Sequence, residues 1–244
     1  MGAITSHHNR KLKEIRKLRQ RRRWRERSGL FVAEGEDLLA AADAAGWEPL
    51  ERFCAAGSDL PGTPIEPELL SRASGLASGT RTIAIYAERW LTRPTGPLCV
   101  HLHGVHDPGN VGTILRSAAA FGAASVSIGP GTADPFGPKA VRASMGAVFE
   151  VPLARTADLA ALPGATIALT PDAADELWRI GTEGWDQIAT ECTVIVGAER
   201  EGLAPELIAA AELTARIPIH THSLNAAMAA TVALYELTRM RRPA

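Results

Sequence analysis

A chain of 244 residues with 46% hydrophobic content has the make-up of an ordinary globular protein and can bury a substantial core, so one large domain or two modest ones are expected. Three widely separated cysteines, Cys54, Cys99 and Cys192, lack C-x-x-C spacing, which argues against a disulfide framework or zinc ribbon; no stretch approaches the roughly 20 apolar residues of a membrane span, and a soluble cytoplasmic protein is expected. The net charge of −1 conceals an asymmetry: between Arg10 and Arg27 eleven basic residues face only Glu14 and Glu26, a local charge of +9 that leaves −10 on the rest.

That basic segment is the first element. Leu12, Ile15 and Leu18 recur at helical spacing and mark one buried face. "RRR" at 21 to 23 has almost no acidic compensation, so repulsion costs helix stability unless a ligand supplies negative charge, and nucleic acid is the favoured partner. Arg10, Lys11, Lys13, Arg16, Lys17, Arg19, Arg21, Arg22 and Arg23 are the candidate nucleic-acid contacts. Trp24 among them either stacks on a base or anchors the helix to its own domain. "GLFVA" then reads as a strand, "EDLLAAADAAG" as a helix ending at Gly46 and "RTIAIYA" as a strand, a small α/β unit over residues 1–92. "TRPTGP" at 92 to 97 interrupts the pattern, with 93–97 as linker.

Over 98–244 the spacing predicts "LCVHLHGV" as strand, 110 to 121 as helix, "ASVSIG" as strand and a Pro/Gly-rich loop at 129 to 138. It then predicts "AVFEVPL", "ATIALT" and "CTVIVG" as strands, 204 to 211 as helix, "TARIPI" as strand and a final helix from about Ser223. Short apolar runs alternating with helices indicate an α/β fold with a buried parallel sheet.

The junction "LHGVHDPGNVGTILRSAAAFGA" at 102 to 123 has the strand, glycine turn and helix with which many nucleotide-binding folds begin. Its "GNVGTI" lacks the second glycine of the dinucleotide fingerprint, and no G-K-[ST] follows, so it is neither of the familiar phosphate cradles. What it offers is Asn110, at the entry to the helix, and Arg116 nearly two turns on. Taken alone, Asn110 reads as an N-cap and Arg116 as a surface cation. Two further junctions, "VIVGAEREGL" and "IPIHTHSLNAAMAATVALYE", also lie at the ends of strands, where an open α/β sheet places its ligand site.

The order N-x-G-x-x-x-R, then G-x-E-x-x-G-L, then I-P…S-L-N followed by small residues and L-Y-E resembles the three motifs of the SpoU (TrmH-type) branch of the SPOUT RNA methyltransferases. "PFGPKAVRASMGAVFEVPL" resembles that family's linking segment, and "ITSHHNRKLKEIRKLRQRRRWRERSGLFVAEGEDLL" is similar to the ribosomal-protein-like α/β domain with which many members bind RNA. The resemblance implies a parallel sheet whose C-terminal segment threads a deep trefoil knot, a homodimer, and transfer of a methyl group from S-adenosylmethionine to an RNA ribose 2′-hydroxyl. It points to ribosomal RNA, with transfer RNA as the alternative and a non-catalytic RNA-binding or assembly protein as a reading from another class. It implies a cofactor pocket at Gly197, Ala198, Ile217, Ile219 and Leu224, with Gly197 leaving room for the ligand, and catalytic roles for Asn110, Arg116, Glu199, Ser223 and Asn225.

In this family Arg116 is cast as the base for the 2′-proton. With an arginine pKa near ~13.8, holding it neutral at pH 7 costs roughly 9 kcal/mol, so fixing a phosphate and favouring the alkoxide electrostatically is the role assigned. Asn110 then orients Arg116 or the ribose, Glu199 secures Arg116 or its own loop, and Ser223 and Asn225 shape the nucleophile pocket. The sequence departs from the family pattern at Arg200, where a glycine is usual, and in a 219–224 loop about two residues short. His101, His103, His106, His220 and His222 include two H-x-H pairs, but with no third ligand motif no metal is expected. Glu236 and Arg239 read as a helix-surface ion pair.

Overall fold

A computed structural model describes residues 2–76, 79–181, 190–221 and 223–241. The chain opens with the basic helix α1 (Arg10–Gln20), capped by Asn9, whose side chain accepts from the Lys11 N–H, and continues into the short α2 (Arg22–Ser28). Leu12, Ile15 and Leu18 are fully buried, as their spacing predicts. Next come β1 (Leu30–Glu34), α3 (Glu36–Ala44), β2 (Glu51–Ala55), β3 (Thr63–Ile65), α4 (Pro67–Ala73) and β4 (Thr82–Ala87). The strands pair in the order β1-β4-β2-β3, antiparallel except for the parallel edge β2–β3. Pro64 sits in the edge strand β3, where a missing N–H costs no ladder bond.

After residues 88–97, with a cis Gly96–Pro97 peptide, follow β5 (Leu98–Leu102), α5 (Pro108–Ala120), β6 (Ser125–Ile128), α6 (Pro138–Ala143), α7 (Ala147–Glu150) and β7 (Leu153–Arg155). The chain ends in β8 (Ala165–Leu169), β9 (Cys192–Val196), α8 (Pro205–Ala210), β10 (Leu213–Ala215) and α9 (Ala226–Arg241). The six strands form one sheet in the order β10-β8-β9-β5-β6-β7, every neighbouring pair parallel. This is the buried parallel sheet that the apolar runs predict. The order places β9 between β8 and β5, so the ends of β5 and β9 are neighbours although about 95 residues apart in sequence.

Three expectations are corrected. "AVFEVPL" is not one strand: after the turn at Met145 and Gly146, both at positive φ, Ala147–Glu150 makes a single helical turn, and β7 begins only at Leu153, past Pro152. "TARIPI" is strand only through Ala215, because Pro218 cannot donate to a ladder and the chain turns toward the site. The last helix starts at Ala226 rather than Ser223, with Asn225 capping it.

One hydrophobic core runs between the two sheets. Phe31 lies 4.6 Å from Phe136, Trp47 lies 5.2 Å from Phe149 edge-on, and the Trp47 indole N–H donates to the Phe149 carbonyl at 2.8 Å. Ion pairs cross the same seam. Arg25, one of the eleven basic residues of the 10–27 segment, is buried and donates to Asp134 at 2.7 Å and to the Leu18 carbonyl at 2.6 Å. Arg142 donates to the buried Glu34 at 3.0 Å. On the other face of the six-stranded sheet Leu162, Ala168, Ile195 and Leu203 form a smaller cluster under α8.

Candidate functional site

The site forms where β5, β8 and β9 end. α5 begins immediately after β5: Pro108 is pre-set for a first helical position, and Asp107 caps it, its Oδ1 accepting the Gly109 N–H at 2.6 Å. Asn110 is therefore not the cap. It lies within the first turn, free to use both ends of its amide. Its Nδ2 donates to Glu199 Oε1 at 2.8 Å, and its Oδ1 accepts from Asn225 Nδ2 at 3.1 Å. Glu199 also accepts the backbone N–H groups of Asp107 (3.2 Å) and His106 (3.3 Å). Asn225 Oδ1 takes the N–H groups of Ala227 and Met228, which starts α9. Three residues from the three motifs thus form one chain of hydrogen bonds.

Burial pushes the Glu199 carboxyl up, but hydrogen bonds from Asn110 and from the backbone of its own residue, Asp107 and His106 outweigh this and hold it below its ordinary value. Arg116 is exposed on α5 and has no hydrogen bond or ion pair among the described residues. Of the two partners expected for Glu199, Arg116 or its own loop, Arg116 is not engaged; Glu199 ties its loop to Asn110 and the 106–107 backbone.

Beside this chain lies a cleft of about 510 Å³. Gly197, Ala198, Ile217, Ile219 and Leu224, all expected at a cofactor pocket, line it together with Glu199 and Ser223. A further wall, Leu169 to Asp172 at the end of β8, was not singled out from the sequence; "TPD" after an apolar strand is the turn signal that marks it. Gly197 also serves its own loop. A Cβ there would come within 2.5 Å of the Gly202 backbone, so its bareness admits the hairpin-like Ala198–Gly202 turn, whose two residues exchange backbone hydrogen bonds. Arg200 is exposed on the cleft rim.

The basic helix divides into two classes. Arg19 is half-buried, donates to the Ala73 carbonyl at 2.6 Å and lies 3.7 Å from Glu34; burial lowers its pKa. Lys11 pairs with Glu51 and Arg22 with Glu26. Lys17 lies 4.3 Å over the Trp24 ring, which packs on the N-terminal core and so anchors its helix. Arg10, Lys13, Arg16, Arg21 and Arg23 form no ion pair among the described residues. His101 is fully buried beside Ser127 at 3.0 Å, and burial, with His103 adding, pushes its pKa down to about 4, so it is neutral. Among the described residues no three His, Cys, Asp or Glu side chains group as a metal site; His222 lies outside them. The Glu236–Arg239 pair forms at 2.8 Å. No described helix is long and apolar enough to cross a membrane.

Residues 97–235 match the SpoU rRNA methylase family, and residues 9–86 match an MRM3-like substrate-binding domain. A Mycobacterium bovis protein named as an uncharacterized tRNA/rRNA methyltransferase is 34% identical over 67% of this chain and 54% of its own length, so the chain spans about half the length of that curated relative. The Bacillus subtilis 23S rRNA (guanosine(2553)-2′-O)-methyltransferase RlmP is 28% identical over 97% of this chain and 99% of its own. The AdoMet-bound rRNA methyltransferase structure from Sinorhizobium meliloti superposes with a TM-score of 0.84 at 29% identity, covering 98% of this chain and 97% of that one. With Asn110, Glu199 and Asn225 of the three motifs hydrogen-bonded together where inner strands of a six-stranded parallel sheet end, and with more than half its length matched, the chain belongs to the SpoU RNA methylase family.

Proposed function

We propose that the protein transfers a methyl group from S-adenosylmethionine to a ribose 2′-hydroxyl of ribosomal RNA. The observation that carries this reading is the junction of the 510 Å³ cleft with the Asn225–Asn110–Glu199 chain, one helical face away from the unpaired Arg116. The cleft volume falls within the range of small-molecule pockets. Its apolar residues Ile217, Ile219 and Leu224 suit a purine, and the carboxylates of Asp172 and Glu201 on its wall suit a ligand bearing cations. When bound, S-adenosylmethionine supplies an electrophilic methyl group on a sulfonium.

The chain's own residues do the rest. Glu199 fixes the loop from Ala198 to Gly202 against the start of α5, and so holds Asn110 at the cleft edge. Asn110 and Asn225 present amide groups to the ribose, and Arg116, always charged, holds an RNA phosphate and stabilises the developing alkoxide. Ser223, exposed on the cleft wall, borders the path of the nucleophile. Alignment is the main contribution in such an in-line displacement.

Residues 1–92 form the RNA-binding domain, 93–97 the linker and 98–244 the methyltransferase domain of this cytoplasmic protein. The unpaired cations of α1 and α2 supply the electrostatic attraction. The C-terminal segment threads a deep trefoil knot. Met228, Val232 and Tyr235, 60%, 37% and 53% exposed, form one stripe of α9 at i, i+4 and i+7 and provide a homodimer seam. Tritium transfer from labelled S-adenosylmethionine tests the reading: ribosomal RNA takes label and transfer RNA does not. Label on transfer RNA alone moves the substrate class, and label on neither, with RNA still bound, favours a non-catalytic binding protein.

A further inference from the structure

A second concavity, about 370 Å³, opens at the ends of β6 and β7. It is lined by the Gly129–Pro130–Gly131–Thr132 turn, by Arg22 from α2 and by Arg155 from the end of β7. Arg22 leans over this turn, its Nη1 3.5 Å from the Thr132 carbonyl; its partner is the exposed Glu26, a surface pair of the kind that adds little. Arg155 is held as a platform: its guanidinium carbon lies 3.9 Å from the Trp90 ring centre, and Glu88 stands 3.7 Å from Nη2, yet half of the side chain faces solvent.

The turn is tied to the site. The Gly104 N–H donates to the Pro130 carbonyl and the Ala133 N–H to the Val105 carbonyl, both at 2.9 Å. His106, whose N–H binds Glu199, is exposed at the rim; a Cβ on Gly131 would lie 3.9 Å from its Nε2. The groove therefore meets Arg22 of α2 on one side, and on the other the 103–107 segment that leads into α5, whose first turn carries Asn110. A groove with a guanidinium on two of its sides accepts a sugar-phosphate backbone, because both can neutralise phosphates.

We infer that this groove seats the RNA strand flanking the target nucleotide, with Arg22 and Arg155 on successive phosphodiesters and the His106 ring against the base that enters the site. The inference rests on the RNA methyltransferase reading and assigns the route between its basic helix and its reacting centre.

Fluorescence anisotropy of a labelled single-stranded ribosomal oligonucleotide, titrated across NaCl concentrations, tests it. Each phosphate contact on a single strand contributes about 0.7 to the slope of log K against log salt. Arg22→Ala should lower the slope by about 0.7 and Arg22→Ala/Arg155→Ala by about 1.4, while Arg22→Lys/Arg155→Lys should restore most of it and affinity for S-adenosylmethionine should not change. Arg22→Ala removes only an exposed pair, so it tests the groove even where loss of Arg155 from the Trp90 face disturbs folding. An unchanged slope in Arg22→Ala and in the double variant overturns the inference, whether or not the wild-type protein methylates RNA. Reduced slopes with no methyl transfer to any RNA leave the groove standing and overturn the enzymatic reading instead.

Discussion

Replacing Glu199 by glutamine separates the charge of this carboxylate from its shape. Oε1 accepts from Asn110 and the Asp107 N–H, and Oε2 from the His106 N–H. Glutamine keeps one acceptor and turns the other into a donor facing an N–H, so at least one bond is lost and one donor is stranded, about 1–3 kcal/mol. Glu199 is half-buried, and solvent screening brings the expected loss to about 1–2 kcal/mol, a Tm fall of roughly 2–8 °C for a chain of this size. The pH dependence has a defined sign. The folded carboxyl titrates below its ordinary value of 4.5, so its contribution is complete above that value and is lost as pH falls through the depressed folded pKa. Urea melts of both proteins between pH 7 and pH 3 should show a gap that is constant near neutrality and closes in acid. A gap that persists unchanged in acid, or a variant as stable as the wild type at pH 7, would refute the reasoning.

Arg116→Ala should leave folding within about 0.5 kcal/mol, because the side chain has no partner to lose, yet lower kcat by about 10²–10³-fold; urea melts and single-turnover methyl transfer check both halves. Gly197→Ala forces a Cβ against the Gly202 backbone and should cost about 1–3 kcal/mol of stability and weaken S-adenosylmethionine binding by calorimetry. Arg25→Ala strands the buried Asp134 and should destabilise by about 3–5 kcal/mol, whereas Lys13→Ala/Arg16→Ala should leave stability unchanged and flatten the salt dependence of RNA binding.

The sheet was legible because its strands are short apolar runs that no helix of that length would carry, and the three motifs because each ends such a run. β2 and β3 were not legible: "ERFCA" opens with two charges and "TPI" contains a proline, so neither shows a strand period, and their pairing is set by β4 and the edge position. α6 hides behind the Pro/Gly-rich loop, since Pro138 is a first-turn helical residue as readily as a breaker. Within the site, Asn110, Glu199 and Asn225 could be named, but their linkage could not, because it spans 89 and 115 residues in sequence. The sorting of the basic helix was also out of reach. Arg25 and Arg19 look like their neighbours in sequence, and only Asp134 and Glu34, supplied by distant elements, make them structural.

The most direct measurement of the central claim is the chemical position of the transferred methyl group. Ribosomal RNA labelled by the protein with tritiated S-adenosylmethionine is hydrolysed in alkali, which cleaves every linkage with a free 2′-hydroxyl. The account predicts that the label survives in alkali-stable dinucleotides and that Arg116→Ala abolishes it; label released in mononucleotides carrying a methylated base would contradict the account.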